Sequence, residues 1–193
     1  MIGNEALPDN LKQLTPKSVK TVAIIGAEST GKTTLCQDLA AVFDSPFVLE
    51  FMREYLQKKW DKAHLTCTWE DLLPIAQGQT NHENQQAKIA ANSSGYLFCD
   101  TCLFELMVYS YWYYGNCPKA LEAAALAHHY DLVLLTCVDI PWVADDLRDS
   151  PNERHAISDF FEKMLNRHQI AFKKVGGSRD ERVEFVANLL SEL

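Results

Sequence analysis

The run Gly26-Ala27-Glu28-Ser29-Thr30-Gly31-Lys32-Thr33 carries the spacing G-x-x-x-x-G-K-[ST], which sets two glycines, a lysine and a hydroxyl where phosphate chemistry requires them. Gly26 and Gly31 open backbone angles closed to other residues. Successive N–H groups can then converge on one anion, and a helix starting near Lys32 adds its positive dipole end. Lys32 supplies a mobile charge for β and γ phosphates, and the Thr33 hydroxyl supplies a ligand for Mg²⁺. Glu28, Ser29, Thr30 and Thr34 fill out the nucleotide-binding stretch. The apolar run Val22-Ala23-Ile24-Ile25 precedes the loop, and Leu35 to Val42 follows with helical spacing. A strand, a glycine loop and a helix is the context that gives the pattern its meaning.

Further candidates fall where other strands should end. Pro46 to Glu50 reads as a short buried strand ending in charge, and it leads into Phe51-Met52-Arg53-Glu54-Tyr55-Leu56. In an open parallel sheet ligands gather beyond the carboxyl ends of strands, which places Glu50, Arg53 and Glu54 at the site. The plainer alternative is surface pairing along the helix, Glu54 with Lys58 and Glu50 with Arg53. Tyr96-Leu97-Phe98-Cys99-Asp100 is a second apolar strand that delivers an acid to the phosphate edge, unless Asp100 only caps the next helix. Thr101 to Tyr114 holds aromatics at mixed helical phases, too many for one core face, so some of them line a pocket for a flat ligand. Asp139 to Glu153 is polar and long enough for a lid, and its Arg148, with Arg154 just beyond, could cover a transferring phosphate. Thr136-Cys137-Val138-Asp139 has cysteine where a guanine-reading loop needs lysine, so guanine specificity is not supported.

A chain of 193 residues suits one domain with a core large enough to need no staple. Its net charge of -8 argues against nucleic-acid and anionic-membrane partners, which call for a basic face, and favours a small diffusible substrate. The six cysteines follow no framework spacing and read as reduced structural thiols of a cytoplasmic protein. The Cys99-x-x-Cys102 pair lacks the second pair that zinc would need. The histidines stand alone or side by side and read as surface residues. Residues 1–18, with no long apolar run, form an N-terminal strap, and 19–193 form the domain proper.

The remaining pattern supplies the scaffold. A polar helix runs from about Thr68 toward Ala91 and Asn92-Ser93-Ser94-Gly95 stops it. Pro118 to His129 is helical, and Asp131 to Thr136 is the plainest buried strand. Glu153 to His168 is an amphipathic helix, Ile170 to Val175 a last strand, and Gly176-Gly177-Ser178 a turn before the helix from Arg179. The order β-α-β-α-α-β-α-α-β-α-β-α predicts a five-stranded parallel sheet with helices on both faces, a three-layer α/β/α fold.

The loop, together with Arg53-Glu54-Tyr55, Gln77-Gly78-Gln79, Cys99-Asp100-Thr101, and Asp139-Ile140-Pro141-Trp142-Val143-Ala144-Asp145 with Leu147-Arg148, resembles the kinase domain of NadR-type proteins, the ribosylnicotinamide kinases of NAD salvage. The resemblance runs from about Lys20 to the C-terminus. It implies an adenylate-kinase-like fold with a lid, and transfer of the ATP γ-phosphate to the ribose 5'-hydroxyl of nicotinamide riboside. Gly26 to Thr34 would then hold ATP, with Arg154 and Gly176 in the same nucleotide-binding set. Lys32, Asp100 and Arg148 would be catalytic, with Asp100 by the magnesium and the reacting hydroxyl. Arg53, Glu54 and Gln79 would contact the nucleoside.

Nicotinamide riboside carries a fixed positive charge on a flat ring, so its pocket calls for aromatic faces and nearby carboxylates. Tyr55, Trp60 and Trp112 are the candidate faces, with Glu54 close by. Two departures from the family pattern stand out: Cys102 replaces a frequent second acid, and Asp146 replaces a usual glycine. The additional DNA-binding and adenylyltransferase domains of multifunctional members are not expected, for want of length and of an H-x-G-H motif. The expected product is the mononucleotide, and no particular oligomeric state is implied. The residues themselves leave open a kinase of another nucleoside or small metabolite, a regulatory ATPase and a non-enzymatic nucleotide sensor.

Overall fold

The structure, a computed structural model, describes residues 7–143 and 152–192. Five parallel strands form one sheet in the order β2-β3-β1-β4-β5, where β1 is Lys20–Ile25, β2 Phe47–Val48, β3 Tyr96–Asp100, β4 Leu132–Thr136 and β5 Lys173–Val175. Strand β1 lies at the centre, with Ile24 beside Asp100 of β3 and Leu134 of β4. The last strand is shorter than its sequence suggests. It is an edge strand that pairs with β4 only along Lys173 to Val175, and Ile170 and Phe172 instead pack against the core.

The period-2 alternation of β1 sorts the helices into two layers. Val22 and Ile24, both fully buried, face Leu35, Cys36 and Leu39 of α1 (Lys32–Val42) and Val186 and Leu190 of α7 (Arg179–Leu190). Ala23 and Ile25 face the opposite layer: Leu103 and Met107 of α4 (Leu103–Tyr114), Leu121 of α5 (Lys119–Ala127), and Ile157 and Phe161 of α6 (Arg154–Arg167). Each fully buried Val, Ile or Leu contributes about 1.5–3 kcal/mol, so this central strand anchors both layers. Between β2 and β3 run α2 (Phe51–Ala63), a 3-10 turn at Trp69–Asp71 closed by a Thr68–Asp71 capping box, and α3 (Leu72–Ala90).

The strap lies across α3 and the end of α5. Leu11 is buried, Asn84 bonds the backbone of Lys12 and Leu14, and Gln13 exchanges two bonds with the backbone of His129. His128 corrects the surface reading of the histidines: it is half-buried, with Nε2 2.8 Å from the Leu11 carbonyl. All six cysteines are free thiols. Among the described residues no helix is long and apolar enough to cross a membrane.

Candidate active site

Sheet topology brings the loop after β1, the end of β3 and the start of α2 to one edge. Gly31 is the N-cap of α1 with φ +85°, and Ser29 also sits at positive φ, so the loop turns back on itself before the helix begins. Gly26 tolerates no side chain, because a Cβ there would collide with the Thr136 hydroxyl. That hydroxyl is part of the loop's internal bracing: Thr136 Oγ1 donates to the Ile25 carbonyl at 3.2 Å and lies 2.6 Å from Thr30 Oγ1.

A second brace comes from α7. The Arg182 guanidinium, 4% exposed, donates to the Thr30 carbonyl at 2.6 Å and to the Gly177 carbonyl at 3.0 Å, and pairs with Asp139. Asp139 therefore fixes the turn between β5 and α7, and it also accepts the Gly177 N–H at 2.6 Å. Gly176 lies directly against it, since a Cβ there would meet Asp139 and Cys137. Arg154 binds the other side of the loop, donating to the carbonyls of Ser29 and Ile140, with its guanidinium over the Trp142 ring.

Lys32 reaches into this cradle and bonds the carbonyls of Gly26 at 2.8 Å and Ala27 at 3.1 Å. Its third neighbour is Glu105 Oε1 at 3.3 Å. Burial works against the Lys32 charge, but the carboxylates of Glu105, Glu50 and Asp100 outweigh it and hold its pKa above the ordinary value. Beside it Thr33 Oγ1 donates to Asp100 Oδ2 at 2.6 Å, and Asp100 Oδ1 is buried without a hydrogen-bond partner among the described residues. Burial raises the Asp100 pKa, opposed by the Thr33 bond and by Lys32 and Arg53. Asp100 makes no cap for α4, whose N-cap is Cys102 with no side-chain bond.

Two larger cavities open from the phosphate cradle. One, about 480 Å³, is lined by Thr33, Asp100, Glu50, Arg53, Glu54 and the rings of Phe51 and His82, which stand edge to face at 5.1 Å. The other, about 380 Å³, lies between α2 and α4 and shares Glu28, Met52 and Tyr109 with the cradle. Its far wall is made by Tyr113, Tyr114, Thr66 and Cys67. The Tyr109 hydroxyl is buried here with no partner among the described residues. A third, smaller cleft of about 150 Å³ runs behind the loop between Thr34, Leu35, Ile140 and the start of α7.

Several predicted contacts sit elsewhere. Tyr55 donates to Asp71 and Trp112 packs on Phe160, each joining two elements, while Trp60 stands edge to face with His64, the C-cap of its own helix. None of them lines either of the two larger cavities. Gln79 is 4% exposed and ties α3 to α2, accepting the Phe51 N–H at 3.0 Å and donating to Glu83. Glu54 reaches the first cavity's rim but pairs at the surface with Lys58 at 2.5 Å, and Arg53 Nε stands 3.9 Å from Glu50. Arg148 lies outside the described residues. Tyr109 is one of the six aromatics between Thr101 and Tyr114 of which some were expected to line a pocket, whereas Glu105 and Arg182 belong to no motif of the sequence. An acid in the otherwise apolar run Leu103 to Tyr109 was the available signal for Glu105.

The AAA_28 family, an AAA domain, matches residues 21–182. The chain belongs to this family. It is 31% identical over 173 residues to the trifunctional NAD biosynthesis/regulator protein NadR of Salmonella typhimurium, an alignment covering 89% of this chain and 41% of that protein. The chain thus spans well under half the length of that relative. A crystal structure of NadR protein in complex with NR superimposes with a TM-score of 0.72 at 21% identity, covering 90% of this chain and 50% of the other. NadR protein in complex with NAD and AMP-PNP gives 0.69 at 22%, covering 88% and 49%. At these identities the structures establish the shared fold, with its five-stranded parallel sheet.

Proposed function

We propose that this AAA_28 protein transfers the γ-phosphoryl group of ATP to the ribose 5'-hydroxyl of nicotinamide riboside, a step of NAD salvage that yields the mononucleotide. The likeness to NadR, seen in complexes with NR and with AMP-PNP, supports both ligands. The observation that carries the reading is the tyrosine-lined cavity, which shares Glu28, Met52 and Tyr109 with the phosphate cradle. Tyr113 and Tyr114 offer ring faces to a pyridinium cation, and Glu28 brings an acid to the same wall. Tyrosines of α4 thus take the part first assigned to Tyr55, Trp60 and Trp112.

The loop N–H groups and the α1 N-terminus bind phosphate, and Lys32 neutralises its developing charge. The cleft behind the loop, beside Gly177 and Ser178, suits the adenosine end of ATP. Thr33 and the unpaired Oδ1 of Asp100 form an oxygen donor set of the kind Mg²⁺ takes, and the ion would supply charge neutralisation between the phosphates. Asp100 lines the other cavity that opens from the cradle, with Thr33, Arg53 and Glu50, and from that side would orient a hydroxyl that reaches the γ-phosphate. Phosphoryl transfer depends on such positioning and electrostatics more than on covalent chemistry. Residues 19–193 form the kinase domain, and six free thiols suit a cytoplasmic setting.

A coupled ADP-release assay over a panel of ribosides tests the assignment. Nicotinamide riboside should exceed uridine and cytidine in kcat/KM by at least tenfold, since a desolvated cation–aromatic contact is worth about 2 kcal/mol. Tyr113→Leu should erase much of that preference and spare ATP binding. Equal efficiency on the neutral pyrimidine nucleosides would overturn the reading.

A further inference from the structure

The Lys32 ammonium has three N–H directions, and its three neighbours use them all: two loop carbonyls and Glu105. Phosphate entering the cradle must therefore take the place of at least one. Glu105 is the charged member of the set, and its other oxygen accepts the Gly26 N–H at 3.0 Å, so one carboxylate spans both a backbone donor of the phosphate loop and the loop's lysine. Its side chain is 3% exposed and lines the cradle itself. A carboxylate in that position makes the same kinds of bonds that an incoming phosphate oxygen would make.

We propose that Glu105 is a positioning residue whose carboxylate competes with nucleotide phosphate for Lys32, so that nucleotide binding in alkaline solution carries a proton onto Glu105. The proposal rests on reading the loop as a nucleotide site and adds to it the group that tunes affinity. The charged groups facing Glu105 are Lys32 from α1, Glu28 from the loop, Glu50 and Arg53 at the start of α2, and Asp100 from β3, with Tyr109 on its own helix. Acids predominate among them, and bringing in a polyanion makes a charged Glu105 costlier still. Burial, opposed by Lys32, already lifts the Glu105 pKa to about 8. When phosphate draws Lys32 away, that opposition weakens and the pKa rises further. The free protein then binds fewer protons than the complex above about pH 8, so affinity falls as pH rises through that range. Lys32 stays charged throughout, its own pKa being raised.

Isothermal titration with ADP tests this. Wild-type affinity should weaken about tenfold between pH 7 and pH 9, the equivalent of one proton over one pH unit, and Glu105→Gln should change less than about twofold over the same range. Glutamine still offers an oxygen to the Gly26 N–H, so the cradle keeps that bond. If the variant weakens binding equally at both pH values, Glu105 is only a structural prop and the proposal is overturned. Titration of wild type at pH 8.5 in two buffers of different ionisation enthalpy reads the proton directly, whether or not the variant folds. Uptake of a substantial fraction of a proton per ADP supports the proposal, and zero uptake overturns it. ADP binding with no pH dependence overturns this inference alone, whereas no ADP binding by wild type at any pH overturns the nucleotide reading with it.

Discussion

Glu83 offers a quantitative test of how the site-bearing helices are held. It lies on α3, 3% exposed, accepts from the Tyr130 hydroxyl at 2.8 Å and from Gln79 Nε2 at 3.2 Å, and faces the thiols of Cys99 and Cys102. No cation stands among these neighbours. Burial, opposed by the two hydrogen bonds, carries its pKa from 4.5 to about 7. Between those values the folded protein binds a proton that the unfolded chain has lost, so stability falls as pH rises through this window and levels off above it. At 1.36 kcal/mol per pH unit the loss is about 3 kcal/mol. Glu83→Gln keeps the shape and an acceptor but cannot ionise. The variant should match wild type near pH 4.5 and exceed it by about 3 kcal/mol at pH 8, a rise of about 6 to 12 °C in Tm for a chain of this size. Urea melts at half-unit intervals from pH 4.5 to 8.5 measure the difference. A constant difference across the range would show that Glu83 is not the titrating group, and the reasoning from burial would fail.

Lys32→Ala should leave the fold intact by circular dichroism and lower phosphoryl transfer by well over tenfold, since tenfold is only about 1.4 kcal/mol of barrier; activity within about threefold would refute its role. Asp100→Asn should cost about 10² or more in kcat, while Glu54→Gln, half-exposed and paired with Lys58, should stay within about threefold, and the reverse order would exchange their roles. Gly26→Ala should weaken ATP binding and lower Tm together because its Cβ meets Thr136, and a variant unchanged in both would disprove the close approach.

The sheet was legible because its strands are apolar runs bounded by turn residues, and the cradle because glycine spacing reports backbone directly. Asp100 was legible for the same reason, as an acid ending a buried strand. The tyrosine wall of the second cavity was not. In Thr101 to Tyr114 an excess of aromatics was evident, but which of them reaches a cavity depends on how α4 is rolled against α2 and α6: Trp112 turns to Phe160, Tyr111 to Glu122, and Tyr109 and Tyr113 to the cavity. Helical phase alone leaves that rotation open. Arg182 was hidden for a different reason. It sits in the polar run Arg179-Asp180-Glu181-Arg182, and only the tertiary fold reveals that this arginine turns inward to Thr30 while Arg179 pairs at the surface with Asp38.

The inward turn of Arg182 also sets an order of events in the cell. Thr30 and Arg182 are 152 positions apart, so on a ribosome adding roughly 5–20 residues per second the phosphate loop exists for on the order of ten seconds before its brace is made. Over that interval β1 and α1 can dock, but the Thr30 carbonyl lacks the guanidinium that fixes it. A nascent chain stalled before α7 should therefore bind nucleotide poorly, and full affinity should arrive only as the last helix leaves the exit tunnel.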